Sequence, residues 1–310
     1  MIEKNNPCFS TPVEEQIWNL ATNLVPLEVT LPMVPQQLHP ACTAFYQFMT
    51  DLCNDMYEHT AVYGLEEPQH VWDYARSILE WMFKKFQYEN DAFTAASATY
   101  KKYLKKLGPR QVKLFFTRGG FCVEEHADVI RVTNPRYPGM LTAVYEVLTA
   151  AQKHYSVNRC DYLVFCEFRA LVNYKRTYHD MYHMLNDQAK VLAQQLHDYA
   201  SQLGVKPVKL TYFRRTEFKK KGKMVFVLDV ASQNNLKVNI GFAEIGGQAF
   251  ALLKNEIEQY EDKEAFTAFW RKNLKRCTNC TPNCYKRGVW QKNSGLPGIS
   301  QNVPTPSRRS

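Results

Sequence analysis

No stretch of this chain is apolar for long enough to cross a bilayer. The longest such runs, Tyr162 to Cys166 and Met224 to Leu228, are about the length of a strand, far below the roughly twenty residues that a spanning helix needs. No membrane partner is therefore expected. Met1 to Pro7 lack a basic segment leading into an apolar core, so no secretory signal is expected and the chain is read as cytoplasmic. A glycine-rich phosphate loop is missing too. Gly119-Gly120 and Gly246-Gly247 are isolated pairs without a trailing Gly-Lys-Ser or a third glycine, which argues against a nucleotide hydrolase. Histidine does not occur after His197, and neither Asp nor Glu occurs in the last forty residues, Arg271 to Ser310.

Those forty residues carry nine Lys or Arg, which equals the formal net charge of the whole chain, +9. The remainder is balanced, thirty basic against thirty acidic residues. Local clustering sets the field that attracts a polyanion, so the tail matters more than the average charge. With 310 residues, 45% hydrophobic and 13% aromatic, the chain can fill two ordinary cores, which excludes a fully disordered protein. Nine cysteines, an odd number in a chain read as cytoplasmic, are expected as reduced thiols, and Asn279-Cys280-Thr281 as an unused glycosylation sequon.

The expected fold class is α+β. Residues 1–108 are expected to be mainly helical: Thr11-Pro12-Val13-Glu14 is a capping box that opens a helix ending near Asn23, before Pro26. Helical stripes follow from Phe45 to Met56, from Pro68 to Phe86, and over Tyr100, Tyr103, Leu104 and Leu107, where Gly108 is a natural C-cap. From residue 109 to 276 the pattern predicts an α+β region. Val112 to Thr117 and Val129 to Thr133 read as paired strands joined by Arg118-Gly119-Gly120-Phe121, and Tyr162 to Val172 as a long strand. A helix from about Tyr178 to Leu203 leads to strands over Val208 to Arg214, Met224 to Val230 and Leu236 to Phe242, then to a helical region from Ala249 to Leu274. An offset of ninety-six residues aligns Leu107-Gly108 with Leu203-Gly204 and Val129-Ile130 with Val225-Phe226, a candidate repeat of 97–133 in 193–229. Residues 277–292 form a cysteine cluster and 293–310 a tail expected to be disordered.

Cys277, Cys280 and Cys284 are spaced C-x2-C-x3-C. Thiolates held this close on a tight turn can face one metal ion, so zinc is expected, with a three-cysteine iron–sulfur site or unmetallated thiols as alternatives. A fourth ligand would come from Cys8, Cys42 or water. Arg276, Tyr285, Lys286, Arg287 and Trp290 flank the cluster and would meet phosphates and bases. A second basic group, Arg214, Arg215, Lys219, Lys220, Lys221 and Lys223, crowds one hairpin with Tyr212, Phe213 and Phe218 interleaved. This could be a nucleic-acid ribbon, or an edge protected by lysines from aggregation. His179, His183 and His197 can share a helix face, and Cys122, Glu124, Glu125 and His126 could host nucleophile chemistry if a loop folded them together.

These features predict a metal-stabilised binding protein for an anionic partner, nucleic acid or another polyanion. The alternative is a small-molecule-binding or catalytic α+β protein with its pocket between duplicated units. A third reading is an interaction module whose Pro-rich tail, Val303 to Arg309, is grasped by a partner.

Overall fold

The computed structural model describes residues 10–64, 68–155, 159–208, 215–232 and 235–240, an α+β architecture. The chain divides into two compact units, residues 1–219 with 227–239, and residues 220–226 with 240–310. Nearly all described residues fall in the first. The helical region expected over Ala249 to Leu274, the cysteine cluster and the basic tail lie outside the described residues, as does the expected strand Val208 to Arg214 apart from Val208.

Helices α1 (Pro12–Thr22), α2 (Leu27–Thr30), α3 (His39–Glu58), α4 (Thr60–Tyr63) and α5 (Pro68–Lys85) come first. A hairpin of β1 (Gln87–Glu89) and β2 (Ala92–Ala96) precedes α6 (Ser97–Leu107), α7 (Pro109–Gly119), β3 (Cys122–His126) and β4 (Val129–Thr133). Next come α8 (Met140–His154), α9 (Arg159–Val164), 3-10 turns at Phe168–Val172 and Tyr178–Met184, and α10 (Asp187–Gln202). Strands β5 (Lys206–Pro207), β6 (Arg215–Lys220), β7 (Lys223–Ser232) and β8 (Asn235–Ile240) complete the described chain.

The capping box forms as its sequence predicts: Glu14 N–H donates to Thr11 Oγ1 at 3.2 Å, and the Glu14 carboxylate accepts from Ser10 and Thr11 N–H. Asn23 closes the helix. Helix α3 is the central element, with Phe45, Phe48, Met49, Leu52, Cys53 and Met56 buried at helical spacing against α1 on one side and α8 on the other. Phe48 gathers the rings of Phe45, Phe115, Phe121 and Tyr137 at centroid separations of 5.6–5.9 Å. Three of these contacts are edge-on, the arrangement favoured by ring quadrupoles. No helix among the described residues is long and apolar enough to cross a membrane.

Three expectations are corrected. Val112 to Thr117 is not a strand but the middle of α7, where Val112, Phe115, Phe116 and Gly119 share the buried face. Pro109 supplies a preset first-turn φ, and Gly120, at φ +77°, takes the left-handed C-cap. Strand β4 therefore pairs with β2 and β3 in the antiparallel order β1-β2-β4-β3. Tyr162 to Val172 is likewise α9 and a 3-10 turn, reached through Cys166 at φ +56°, with Glu167 and Arg169 buried. The expected helix from Tyr178 to Leu203 is broken at Leu185 and Asn186, and Asn186 caps α10 through Ala189 N–H at 2.8 Å.

The β1–β2 hairpin falls within a region expected to be mainly helical. Asn90 and Asp91, both at positive φ (50° and 54°), form its two-residue turn. Asn and Asp tolerate this conformation better than other non-glycine residues. Asp91 then reaches α8, where its carboxylate accepts from Gly139 N–H at 2.6 Å, Thr142 N–H at 2.9 Å and Thr142 Oγ1–H at 3.2 Å. An N-terminal cap thus comes from a residue about fifty positions upstream, which pins the first sheet to the central helix pair. We predict that Asp91→Ala lowers stability by about 1–2 kcal/mol, as loss of a cap does. Asp91→Asn, which keeps an acceptor and the turn preference, should lose less. Urea unfolding of both variants measures this, and equal losses would contradict the capping role.

Candidate functional site

Residues 92 to 123 contain seven Lys or Arg and no Asp or Glu, and α6 and α7 convert that run into a surface. Tyr103 is fully buried on α6, with its ring 5.0 Å from Trp81 and 5.3 Å from Phe86, and Leu104 and Leu107 are half-buried beside it. At about 100° per residue, Lys101, Lys102, Lys105 and Lys106 span a sector of about 140° directly opposite that buried side. All four are exposed. After the bend at Gly108, α7 adds Arg110, opposite its own buried face, and Lys113 on the flank, both exposed. None of these six takes part in an ion pair among the described residues. At the opposite end of α6, Ser97 N–H donates to the Asp128 backbone carbonyl at 2.7 Å and Ser97 Oγ to the Glu125 carboxylate at 3.1 Å.

Helix electrostatics account for part of this pattern. Lys105 and Lys106 lie in the last turn of α6, where cations are favoured. Arg110 lies in the first turn of α7, where the helix dipole opposes a cation, and that turn carries no acid. Arg110 thus works against its own helix dipole and has no ion-pair partner among the described residues. Density of basic residues alone does not single out this surface; the gap in acidic residues from 92 to 123 does.

The anticipated hairpin contributes less. Phe218 is fully buried, with its ring 6.1–6.4 Å from His197 and Tyr178, so it cannot stack on a base. Lys219 pairs with Glu217 at 3.1 Å and Arg215 is half-buried. Lys220 and Lys221 are exposed at the turn. Tyr212, Phe213, Arg214 and the side chain of Lys223 lie outside the described residues, as do Arg276, Cys277, Cys280, Cys284, Tyr285, Lys286, Arg287 and Trp290. Cys42 is removed from the candidate fourth ligands: it is fully buried in α3, and burial pushes its thiol up to about 12. Cys8 lies outside the described residues.

The other groupings do not assemble a reactive centre. Strand β3 is extended, which separates Cys122 from His126 by about 13 Å along the chain and leaves no nucleophile–base contact. The rings of His179 and His197 come within 6.0 Å around Tyr178, whereas His183 turns its Nδ1 to the Asp180 carbonyl. Among the described residues no group of three His, Cys, Asp or Glu is placed to hold a metal ion. A cleft of about 50 Å³ is lined by Asp51, Asp55, Arg118, Gly119, Arg136 and Tyr137. Its carboxylates are engaged: Asp51 accepts from Tyr137 Oη at 2.7 Å and Gln47 Nε2 at 2.8 Å, and Asp55 from Arg118 Nε at 2.7 Å and from Tyr63 Oη. Burial alone would raise the Asp55 carboxyl, but Arg118 and Tyr63 hold it below the usual carboxylate range, which does not suit a general acid.

A buried ionic cluster lies between residues 167 and 183. Arg169 grips Glu167 with two bonds of 2.7 Å, reaches Asp180 at 2.9 Å and lies 4.1 Å from the centre of the Tyr174 ring, while Arg176 approaches Glu167 at 3.2 Å. Burial pushes Asp180 up, yet the Thr177 N–H, Arg169 and the Tyr174 hydroxyl bring it below its ordinary value. These four charged side chains form one buried ion-pair network. Burial, and after it the Arg176 guanidinium, lowers His183 from 6.5 to about 4. As pH falls, the unfolded chain therefore takes up this proton before the folded one does. His183 should cost stability progressively between about pH 6.5 and 4, on the order of 3 kcal/mol when complete. We predict that His183→Gln loses less stability than the parent between pH 7 and pH 5, measured by urea midpoints. Parallel losses would show that another group governs the acid limb.

Compared with family models, curated proteins and solved structures, the chain matches none.

Proposed function

We propose that this protein binds a polyanion, nucleic acid before any other, through exposed cationic surfaces. The observation that supports this reading is the α6–α7 elbow: six exposed cations without an ion-pair partner among the described residues, on a stretch with no carboxylate, with Arg110 placed against its helix dipole. Lys220 and Lys221, at the turn after β6, are further exposed cations. In this reading the tail adds Arg276, Lys286 and Arg287 for phosphates and Tyr285 and Trp290 for bases. Zinc held by Cys277, Cys280 and Cys284 would order these residues, with an iron–sulfur site as the alternative. The engaged carboxylates of the cleft and the extended Cys122–His126 strand favour binding over catalysis.

The test is Arg110→Glu. An acid in the first turn of α7 favours that helix by about 0.3–1 kcal/mol, so the thermal midpoint should hold or rise. Affinity for a heparin or nucleic-acid probe near 50 mM salt should nevertheless fall several-fold. A fall in stability with affinity unchanged would assign Arg110 to the fold and remove the main support for this reading. For the tail, we predict about one equivalent of bound metal, zinc in preference to iron, in anaerobically purified protein, and its loss in the Cys277→Ser, Cys280→Ser double variant. Purified protein with neither metal would end that part of the proposal.

A further inference from the structure

Stacking aromatics are missing from the exposed side of the elbow. Tyr103, Phe115 and Phe116 are buried, and Tyr100 is half-buried with its ring 6.2 Å from Phe86 and 5.9 Å from Tyr103. A surface for single strands gains much of its affinity from bases stacked on such rings, and this one offers none. The helical geometry of α6 suits a duplex better. Lys101 and Lys105 form one row and Lys102 and Lys106 another, with members of a row about 6 Å apart along the axis and the rows on opposite shoulders of the helix. A helix about 10–12 Å across fits a B-form major groove about 12 Å wide, which would set one lysine row toward each backbone. The deep, narrow major groove of A-form RNA does not admit it.

The ridge between the two rows carries Ala98, also exposed, and no Asn, Gln or Arg of α6 stands there to read a base edge in two bonds. Lysine alone neutralises phosphates and carries no sequence information. Resting on the polyanion reading above, we infer that the α6–α7 elbow is a sequence-independent binding surface for B-form DNA, with α6 in or along the major groove and Arg110 and Lys113 on the adjoining backbone.

The full chain and its Lys101→Gln, Lys102→Gln, Lys105→Gln, Lys106→Gln variant are titrated with a 20-base-pair DNA duplex, the RNA duplex and the DNA single strand of the same sequence, and a DNA duplex of shuffled sequence. From 50 to 200 mM salt, the parent should lose at least about a thousandfold in affinity for DNA duplex if six cations touch phosphate. The glutamine variant should lose about a hundredfold less over that range, a slope change of about four times 0.9. The two DNA duplexes should bind within about threefold of each other. A second variant with the same four lysines changed to Arg keeps the charge and should keep the slope, which separates lost contacts from a misfolded helix. Tighter binding of single strand or RNA duplex, a slope unchanged in the glutamine variant, or a preference above about tenfold between the two DNA sequences would overturn the inference. If heparin and single strand bind with salt dependence but DNA duplex does not, the duplex assignment falls and the polyanion reading stands. If no probe binds near 50 mM salt, both fall.

Discussion

The Glu167 carboxylate, with no exposed surface and two guanidinium groups around it, is the constraint on which the second half of the helical body depends. A buried charge left without partners costs several kcal/mol, so the backbone must bring Arg169 and Arg176 to it. Neither a strand nor a continuous helix does this. The chain instead turns through left-handed residues at Cys166 (φ +56°) and Asn173 (φ +53°), separated by a short 3-10 turn. That bend delivers Phe165 O to Val25 N–H at 2.8 Å, which ties the link after α1, and Tyr174 O to the Tyr155 hydroxyl at 2.7 Å, which ties the end of α8. The ion cluster thus fixes backbone direction, while the apolar burial around it supplies most of the favourable free energy.

The same constraint explains which parts of the fold the sequence revealed. Helices α1, α3, α5 and α6 announce themselves through a capping box, a 3.6-residue stripe or a glycine cap, all local signals that tertiary packing then reinforces. Tyr162 to Val172 looks like a strand because it is short, apolar and aromatic, and nothing local says that Glu167 and Arg169 will be enclosed together. Val112 to Thr117 misleads for a different reason. Six residues fit period 2 and period 3.6 about equally well, and only the wider spacing of Val112, Phe115, Phe116 and Gly119 behind Pro109 decides between them. The Asn90-Asp91 turn was readable, whereas its cap on α8 is a long-range contact that no local pattern encodes.

For the candidate surface, the legible signal was one of absence. Basic clusters in the hairpin and the tail stand out by density, yet density does not say which cations are free. Phe218 shows why: strand alternation that puts Arg215, Glu217 and Lys219 on one side of β6 sends Thr216 and Phe218 into the interior, and Lys219 then finds Glu217. On α6 the helical period does the reverse, because spacings of one, four and five residues place all four lysines in a sector opposite the side formed by Tyr100, Tyr103, Leu104 and Leu107. Thirty-two residues without a carboxylate leave them no acidic neighbour along the chain, and none of them forms an ion pair among the described residues.

Placing the cations on rigid helices changes what they can do. Flexible charged tails attract polyanions with little geometric demand, whereas lysine rows fixed about 6 Å apart on a packed helix select for a backbone of matching curvature and groove width. Tyr103 is the residue that fixes those rows. Its ring is held among Trp81, Phe86 and Phe116, so α6 cannot roll without breaking aromatic contacts to α5 and α7 together. The apolar side of α6 therefore sets the direction in which its charged side points, and the core of the protein and its cationic surface are two consequences of one helical period.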